Sequence, residues 1–374
     1  MRGIILAGGS GTRLRPLTRT QSKQLLPVFD KPLIYYPLSL LMLMGIREIL
    51  IISTPEHVGQ YRSLFGDGGD LGIRVDYAEQ DRPRGLADAL VVGREFVGDE
   101  QVALILGDNI FHGHDLVPVL REQAVKLSGA TLFGYPVADP ERYGVAVLDS
   151  DGGLVDIEEK PERPRSSLAV TGLYLYDNDA LDYAAELTPS ARGELEITDV
   201  NRRFVREGRA RLVNLGRGTM WLDAGTHETL LEAANYVRVL QSRQGVQIAC
   251  VEEVAHRMGM LDGAGMDAAI ARVGADSDYG RHLVRVRAEV SGGPDAVGAA
   301  RVGGEEGGPV MRVAVDQGVC IGSGQCTMIT DRVFGQREDD GVVTLEDEHP
   351  PVEEHDLVRT AAVICPVSAI SVSG

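Results

Sequence analysis

The sequence predicts an α/β protein, a mostly parallel sheet flanked by helices, followed by a small α+β module. Three observations carry that expectation. Between residue 2 and about residue 110, short apolar runs alternate with amphipathic segments, the spacing of βαβ units. Residues 291–310 break the pattern: Ser291–Pro309 holds seven Gly and two Pro in nineteen residues, with no apolar period, as in a flexible linker. From Met311 a compact segment begins afresh, and three of the four cysteines lie in it.

Taken in order, Gly3–Ala7, Glu48–Ser53, Ile73–Tyr77 and Val102–Leu106 read as buried strands. Helices are expected around Pro32–Met44, His57–Leu64 and Leu86–Phe96. Thr131–Tyr135, Gly144–Asp149 and Ala169–Leu175 add strands, and residues 227–290 turn helical. The expected domains are therefore 1–290 and 311–374, joined by 291–310.

A chain of 374 residues with 44% hydrophobic and 25% charged residues has the composition of a soluble globular protein of two or three domains. Its net charge of −18 argues against a general affinity for nucleic acid or anionic membranes. Any phosphate site must be a local concentration of positive groups. The opening MRGIILAGGS is too short for a signal-peptide core. The longest apolar stretch, Leu33–Met44, contains Pro37 and falls short of a membrane span. A cytoplasmic protein is expected, and there cysteines hold metals or clusters more often than disulfides.

The first strand runs into Leu6-Ala-Gly-Gly-Ser-Gly-Thr-Arg-Leu-Arg-Pro-Leu-Thr18. Glycines at a strand's C-terminal end let backbone N–H groups approach phosphates, and Arg adds charge-assisted hydrogen bonds. No Gly-Lys pair occurs anywhere, so this is not a Walker loop, and Leu14 leaves the dinucleotide fingerprint incomplete. On its own, such a turn is more often structural than functional.

The whole string decides the matter. Residues 3–37, GIILAGGSGTRLRPLTRTQSKQLLPVFDKPLIYYP, closely resemble the signature of the sugar-phosphate nucleotidyltransferases, specifically the glucose-1-phosphate thymidylyltransferase family. The resemblance continues in Leu106-Gly-Asp-Asn-Ile-Phe111, Asp139-Pro-Glu-Arg-Tyr-Gly144, Glu158-Glu-Lys-Pro161, Ala169-Val-Thr-Gly-Leu-Tyr174, Arg192-Gly-Glu-Leu-Glu-Ile-Thr-Asp199 and Trp221-Leu-Asp-Ala-Gly-Thr-His227. It implies a Rossmann-like nucleotide-diphospho-sugar transferase fold, dTTP and glucose 1-phosphate as substrates, Mg²⁺, and a homotetramer.

Nucleotidyl transfer brings two anions together, so catalysis consists of alignment and charge neutralisation. Asp108 ends an apolar strand, and Asp223 follows Trp221-Leu222. Two carboxylates from distant segments suit Mg²⁺, and the resemblance implies that this pair holds it. Of 37 basic residues only Lys23, Lys31, Lys126 and Lys160 are lysines, so a Lys in a motif marks a site that needs a compact ammonium. By resemblance Arg13 and Lys23 contact the triphosphate over Gly8, Gly11 and Thr12, Gln24 helps place the nucleotide, and Lys160 binds the sugar phosphate. The matching Gln80 and Gly85 would read thymine. A Gln amide can donate and accept together, as a pyrimidine edge requires. Position 88 is Asp, where the family pattern has Gln. Tyr143, Gly144, Glu159, Val170, Tyr174 and Arg192 would meet the sugar. His112-Gly-His114 lacks a third ligand and reads as surface, and Cys250 as core.

In the last segment, Cys320-Ile-Gly-Ser-Gly-Gln-Cys326 and Cys365-Pro366 leave three cysteines, with Ser323 in the middle position of a Cys-x₂-Cys-x₂-Cys run. The pattern resembles small bacterial ferredoxins with a [3Fe–4S] cluster held by Cys320, Cys326 and Cys365. The segment's 11 acidic residues against 4 Arg would favour a basic redox partner such as a cytochrome P450. Zinc fits the Cys-x₅-Cys spacing less well. Three alternatives stay open: another base or sugar, a non-catalytic sugar-nucleotide binder, and an electron carrier with the large domain as scaffold.

Overall fold

The computed structural model describes residues 1–9, 11–291, 311–320, 322, 324–337, 339–351, 354–365 and 369–373. All of the expected linker but Ser291, which ends a helix, lies outside the described residues, as do Ser323 and Pro366 of the cysteine motif. The chain separates into two compact units, Met1–Ser291 and Gly292–Gly374. No helix among the described residues is long and apolar enough to cross a membrane.

Continuous aliphatic runs build the heart of the first unit. Strands Arg74–Glu79, Glu48–Ser53, Arg2–Leu6 and Val102–Leu106 pair in parallel in that spatial order. Successive side chains alternate between the faces. Ile5, Ile49 and Ile51 join the core on one face, with Leu38 and Leu41 of the Tyr35–Leu43 helix. Ile4, Leu50 and Ile52 join the other, with Leu90 of the Asp88–Val92 helix. Burial on both faces is why these strands read as unbroken apolar runs.

Beyond Val102–Leu106 the sheet changes direction. Leu168–Tyr176 pairs antiparallel with it and with Ala130–Pro136. Gly144–Leu148, Leu154–Glu159 and Ala210–Asn214 complete nine strands among the described residues. The ladder between Leu168–Tyr176 and Ala130–Pro136 slips between Val170 and Tyr174. That irregularity later proves useful, because it frees the backbone at Gly172.

The expected helix over 86–96 is two pieces, Asp88–Val92 and Arg94–Val97, meeting at Gly93. A Cβ there would lie 2.6 Å from Ile4 Cδ1, so a larger residue would force the Ile4 side chain to shift. After residue 226 the chain is helical as expected: His227–Gln244, Val251–Arg257, Gly263–Val273 and Asp278–Ser291. Thr226 opens the run with a capping box to Thr229. Cys250 is buried core.

A separate two-stranded ribbon, Asn109–Gly113 against Thr219–Asp223, corrects one expectation. His114 is exposed, but His112 is half-buried, its Nδ1 3.1 Å from the Tyr236 hydroxyl. Strand alternation turns it toward the His227–Gln244 helix, and burial lowers its pKa.

The second unit is α+β. Arg312–Val315 pairs antiparallel with Ile370–Ser373, and Phe334–Gln336 with Val343–Leu345. Helices Gln325–Ile329 and His355–Ile364 pack around its own core of Met311, Val313, Val333, Phe334, Val343, Val358, Ala361 and Ile370.

Candidate active site

The first strand ends at Leu6, and the chain then folds back on itself through the glycines. Leu14 is fully buried and pins the Thr12–Leu14 turn, while the Thr18 hydroxyl donates to the Gly11 carbonyl, 2.7 Å. Arg13 is left exposed, with no hydrogen bond or ion pair among the described residues. Gln24 is buried, its Nε2 donating to the Gly8 carbonyl at 3.3 Å and its Oε1 accepting from the Ser22 hydroxyl at 2.7 Å. It therefore shapes the loop from behind. Gly8, Gly11, Thr12, Arg13, Lys23 and Gln24 line one cavity together with Asp108 and Asp223.

A second cavity opens on the other side of the two aspartates. Tyr143, Gly144, Glu159, Lys160, Val170 and Tyr174 line it, again with Asp108 and Asp223. The Glu159 carboxylate accepts from the Thr198 hydroxyl at 2.6 Å and from Arg192 at 3.1 Å. Lys160 sits at φ 42°, its backbone N–H bonded to the Tyr143 carbonyl, 3.0 Å, and its ammonium half-exposed. Burial pushes the Tyr174 phenol well above its ordinary pKa, which leaves it a hydroxyl donor.

Asp108 and Asp223 thus form the rim shared by both cavities. Asp108 stands beyond the end of Val102–Leu106, and the Lys23 ammonium is bonded to it. Asp223 ends the ribbon strand, and its carboxylate has no hydrogen bond among the described residues. Burial first, then the charge of Asp108, pushes its pKa up to about 6. Lys23, Arg142 and Arg13 oppose that rise but do not cancel it. An enclosed, under-compensated pair of carboxylates is a fitting donor set for Mg²⁺, a hard cation that takes one or two carboxylates and completes its shell with water and phosphate oxygens.

Gln80, Gly85 and Arg192 line neither cavity. Gln80 is 4% exposed beside Gly8. Gly85 has φ 108°, and a Cβ there would meet the Leu195 carbonyl at 2.3 Å. Arg192 is on the surface, bridging Glu159 and Glu196.

Three residues given no role by the sequence prove central. Asn109 is buried, its Nδ2 donating to Asp108 Oδ1 at 3.0 Å. Its Oδ1 accepts from the Gly172 N–H at 3.1 Å and from Trp221 Nε1 at 2.6 Å. Gly172 falls in the slipped stretch of the ladder, so its N–H is free for that bond. A Cβ on it would lie 2.6 Å from the same Asn109 oxygen. Trp221 also packs at a tilt against Tyr143, ring centroids 5.1 Å apart and planes at 60°. The signals were present: Asn109 lies inside a quoted motif, and Trp221 is the chain's single tryptophan.

In the second unit Cys320, Cys326 and Cys365 are half-buried free thiols. Backbone N–H groups of Gly322 and Val343 point at Cys320 Sγ (3.4 and 3.5 Å), and that of Ala369 at Cys365 Sγ (3.2 Å). Burial, and then the fields of Cys320 and Cys365, raise the Cys326 pKa. All three cysteines pack against the same small core, and backbone donors such as those at Cys320 and Cys365 would offset the charge of an iron–sulfur cluster held there.

Residues 2–239 match the family described as nucleotidyl transferase, and residues 315–372 the 4Fe-4S single cluster domain of ferredoxin I. A glucose-1-phosphate thymidylyltransferase of Xanthomonas campestris pv. campestris (strain B100) is 56% identical over 282 residues, 75% of this chain and 95% of that protein. One from Neisseria meningitidis serogroup A is 53% identical over 286 residues, 76% and 99% of the two chains. A Bacillus anthracis crystal structure of a glucose-1-phosphate thymidylyltransferase with sucrose superposes with TM-score 0.60 at 44% identity, covering 64% of this chain and 95% of that one. The chain belongs to the nucleotidyl transferase family, and it carries a ferredoxin-like domain at its C-terminal end.

Proposed function

We propose that the chain transfers a thymidylyl group from dTTP to α-D-glucose 1-phosphate, yielding dTDP-glucose and pyrophosphate. One observation carries the reading: Asp108 and Asp223 line both the glycine-loop cavity and the sugar-side cavity. The loop cavity takes the triphosphate, with Gly8, Gly11 and Thr12 offering backbone N–H groups and Arg13 and Lys23 offering charge. Gln80 and the chain at Gly85 read the base, and Gln24 holds the loop in shape. In the other cavity Tyr143, Gly144, Glu159, Val170 and Tyr174 meet the sugar, Arg192 holds Glu159, and Lys160 takes the phosphate.

A phosphate oxygen of the sugar attacks the α-phosphorus of dTTP. The new P–O bond forms as the bond to the β-phosphate breaks, and its electron pair leaves with pyrophosphate. The residues' task is to align these groups and oppose their charge, the greater part of catalysis in phosphoryl chemistry. Mg²⁺ held by Asp108 and Asp223 would neutralise phosphate charge between the two cavities.

The ferredoxin-like domain carries one electron through a [3Fe–4S] cluster on Cys320, Cys326 and Cys365, and its acidity suits a basic partner of the cytochrome P450 kind. The large unit assembles as a homotetramer in the cytoplasm. Exposed Leu231, Val239 and Val284 on the terminal helices support subunit contacts there. A pyrophosphate-release assay in Mg²⁺, crossing several triphosphates with several sugar 1-phosphates, tests the main reading. The dTTP and glucose 1-phosphate pair should turn over fastest, and no release from any pair would overturn it.

A further inference from the structure

Gln80 follows the Arg74–Glu79 strand, its backbone N–H bonded to the Ser53 carbonyl, 2.8 Å. Its side-chain amide has two ends with opposite chemistry, and which end faces the nucleotide decides which base edge it can accept. Asp88 settles the orientation. It is 1% exposed at the start of the Asp88–Val92 helix, and its Oδ2 accepts from Gln80 Nε2 at 2.7 Å. The Arg84 guanidinium approaches the same oxygen, Nε at 3.4 Å. Arg can only donate, so that oxygen is an acceptor, and Gln80 can turn only its NH₂ toward it.

The other end of the amide is thereby fixed. Gln80 Oε1 points at the glycine loop, 3.1 Å from where a Cβ on Gly8 would stand. It has no donor among the described residues, and Gly8 lines the loop cavity. A fixed, unsatisfied acceptor at the nucleotide cradle favours a base that presents N–H at that point.

We propose that Asp88 is a positioning residue for base specificity, locking Gln80 so that Oε1 accepts from a pyrimidine N3–H. Thymine and uracil carry that hydrogen. Cytosine in the same pose would set the lone pair of N3 against the lone pairs of Oε1. The inference rests on the dTTP reading above and adds a mechanism for rejecting dCTP that acts through a residue outside the cavity.

The test is Asp88→Asn combined with Arg84→Ala, which keeps the shape at position 88 but removes the guanidinium that would hold an Asn oxygen in place, so the Gln80 amide is free to flip. Steady-state kcat/KM is measured for dTTP, UTP and dCTP with glucose 1-phosphate, in the full-length protein. The dTTP-over-dCTP ratio should fall about tenfold or more, while the dTTP-over-UTP ratio stays within about twofold, since both bases carry N3–H. Asp88→Leu, which removes the acceptor altogether, should relax the same ratio. Unchanged dTTP-over-dCTP ratios in both variants overturn the proposal, and so does a uniform loss across all three triphosphates, the sign of a purely structural residue. A wild-type protein inactive with dTTP would instead refute the functional reading beneath it.

Discussion

Asp223 lies directly across the ribbon from Asn109, the residue that hydrogen-bonds the Asp108 carboxylate. A single cross-strand pair thus ties together two acids that lie more than a hundred residues apart in the chain. Their separation is set by backbone register and by one buried amide.

Asp223 should make the metal-free protein sensitive to pH in a defined direction. Its folded pKa is raised to about 6, so the folded state binds its proton more tightly than the unfolded one. The resulting stabilisation is full below the unfolded value, about 3.9, and is lost as pH rises to the folded value. In chelator, Asp223→Asn should gain on the wild type between those limits and keep an advantage on the order of 1–3 kcal/mol at higher pH. Thermal melts across that range check it; Mg²⁺ should then stabilise the wild type and not the variant, whose turnover should fall about a hundredfold or more.

Replacing Lys160 by Ala should raise KM for glucose 1-phosphate far more than KM for dTTP. Lys160 lines the sugar-side cavity and not the loop cavity, and a lost charged contact to phosphate corresponds to roughly 1.5–3 kcal/mol, about ten- to a hundredfold. Equal effects on the two substrates would refute the role.

Gly172→Ala should damage the site without touching a charged group. The added methyl would meet Asn109 Oδ1 at 2.6 Å and Leu106 Cδ1 at 2.7 Å, so the hub must shift. A loss of about 1–3 kcal/mol in stability is expected, with a larger proportional loss in turnover than in dTTP affinity. Chemical denaturation and initial rates measure the two separately.

Anaerobically purified protein should be coloured by sulfide-to-iron charge transfer, and Cys365→Ser should bleach it. Each unit has its own core, so the variant should keep wild-type pyrophosphate release. Iron analysis with electron paramagnetic resonance separates a three-iron from a four-iron cluster, and a colourless wild type would count against the ferredoxin assignment.

Much of this was legible because backbone geometry is local. The Gly3–Ala7 run passes straight into the glycine turn, and the Val102–Leu106 run passes straight into the acid at position 108, so each strand-and-loop pair could be read from a local stretch of chain. The helical character after residue 226 was readable for the same reason. The Asn109 hub was not, since it depends on a slipped ladder at Gly172 and on the pairing of strands over a hundred residues apart. The half-burial of His112 was hidden likewise, because the helix that covers it begins at His227. Asp88 showed as a departure from pattern, yet its meaning needed the direction of one hydrogen bond.

The triple engagement of Asn109 has a consequence for ion selectivity. An amide anchored to two separate strands cannot follow its carboxylate outward, so the Asp108 donor has little room to move. A donor held in place would favour Mg²⁺, which demands near-ideal geometry, over Ca²⁺, whose bonds are longer, about 2.3–2.6 Å, and whose shell is more adaptable. Loosening that one side chain should therefore blur the distinction between the two ions before it abolishes binding of either.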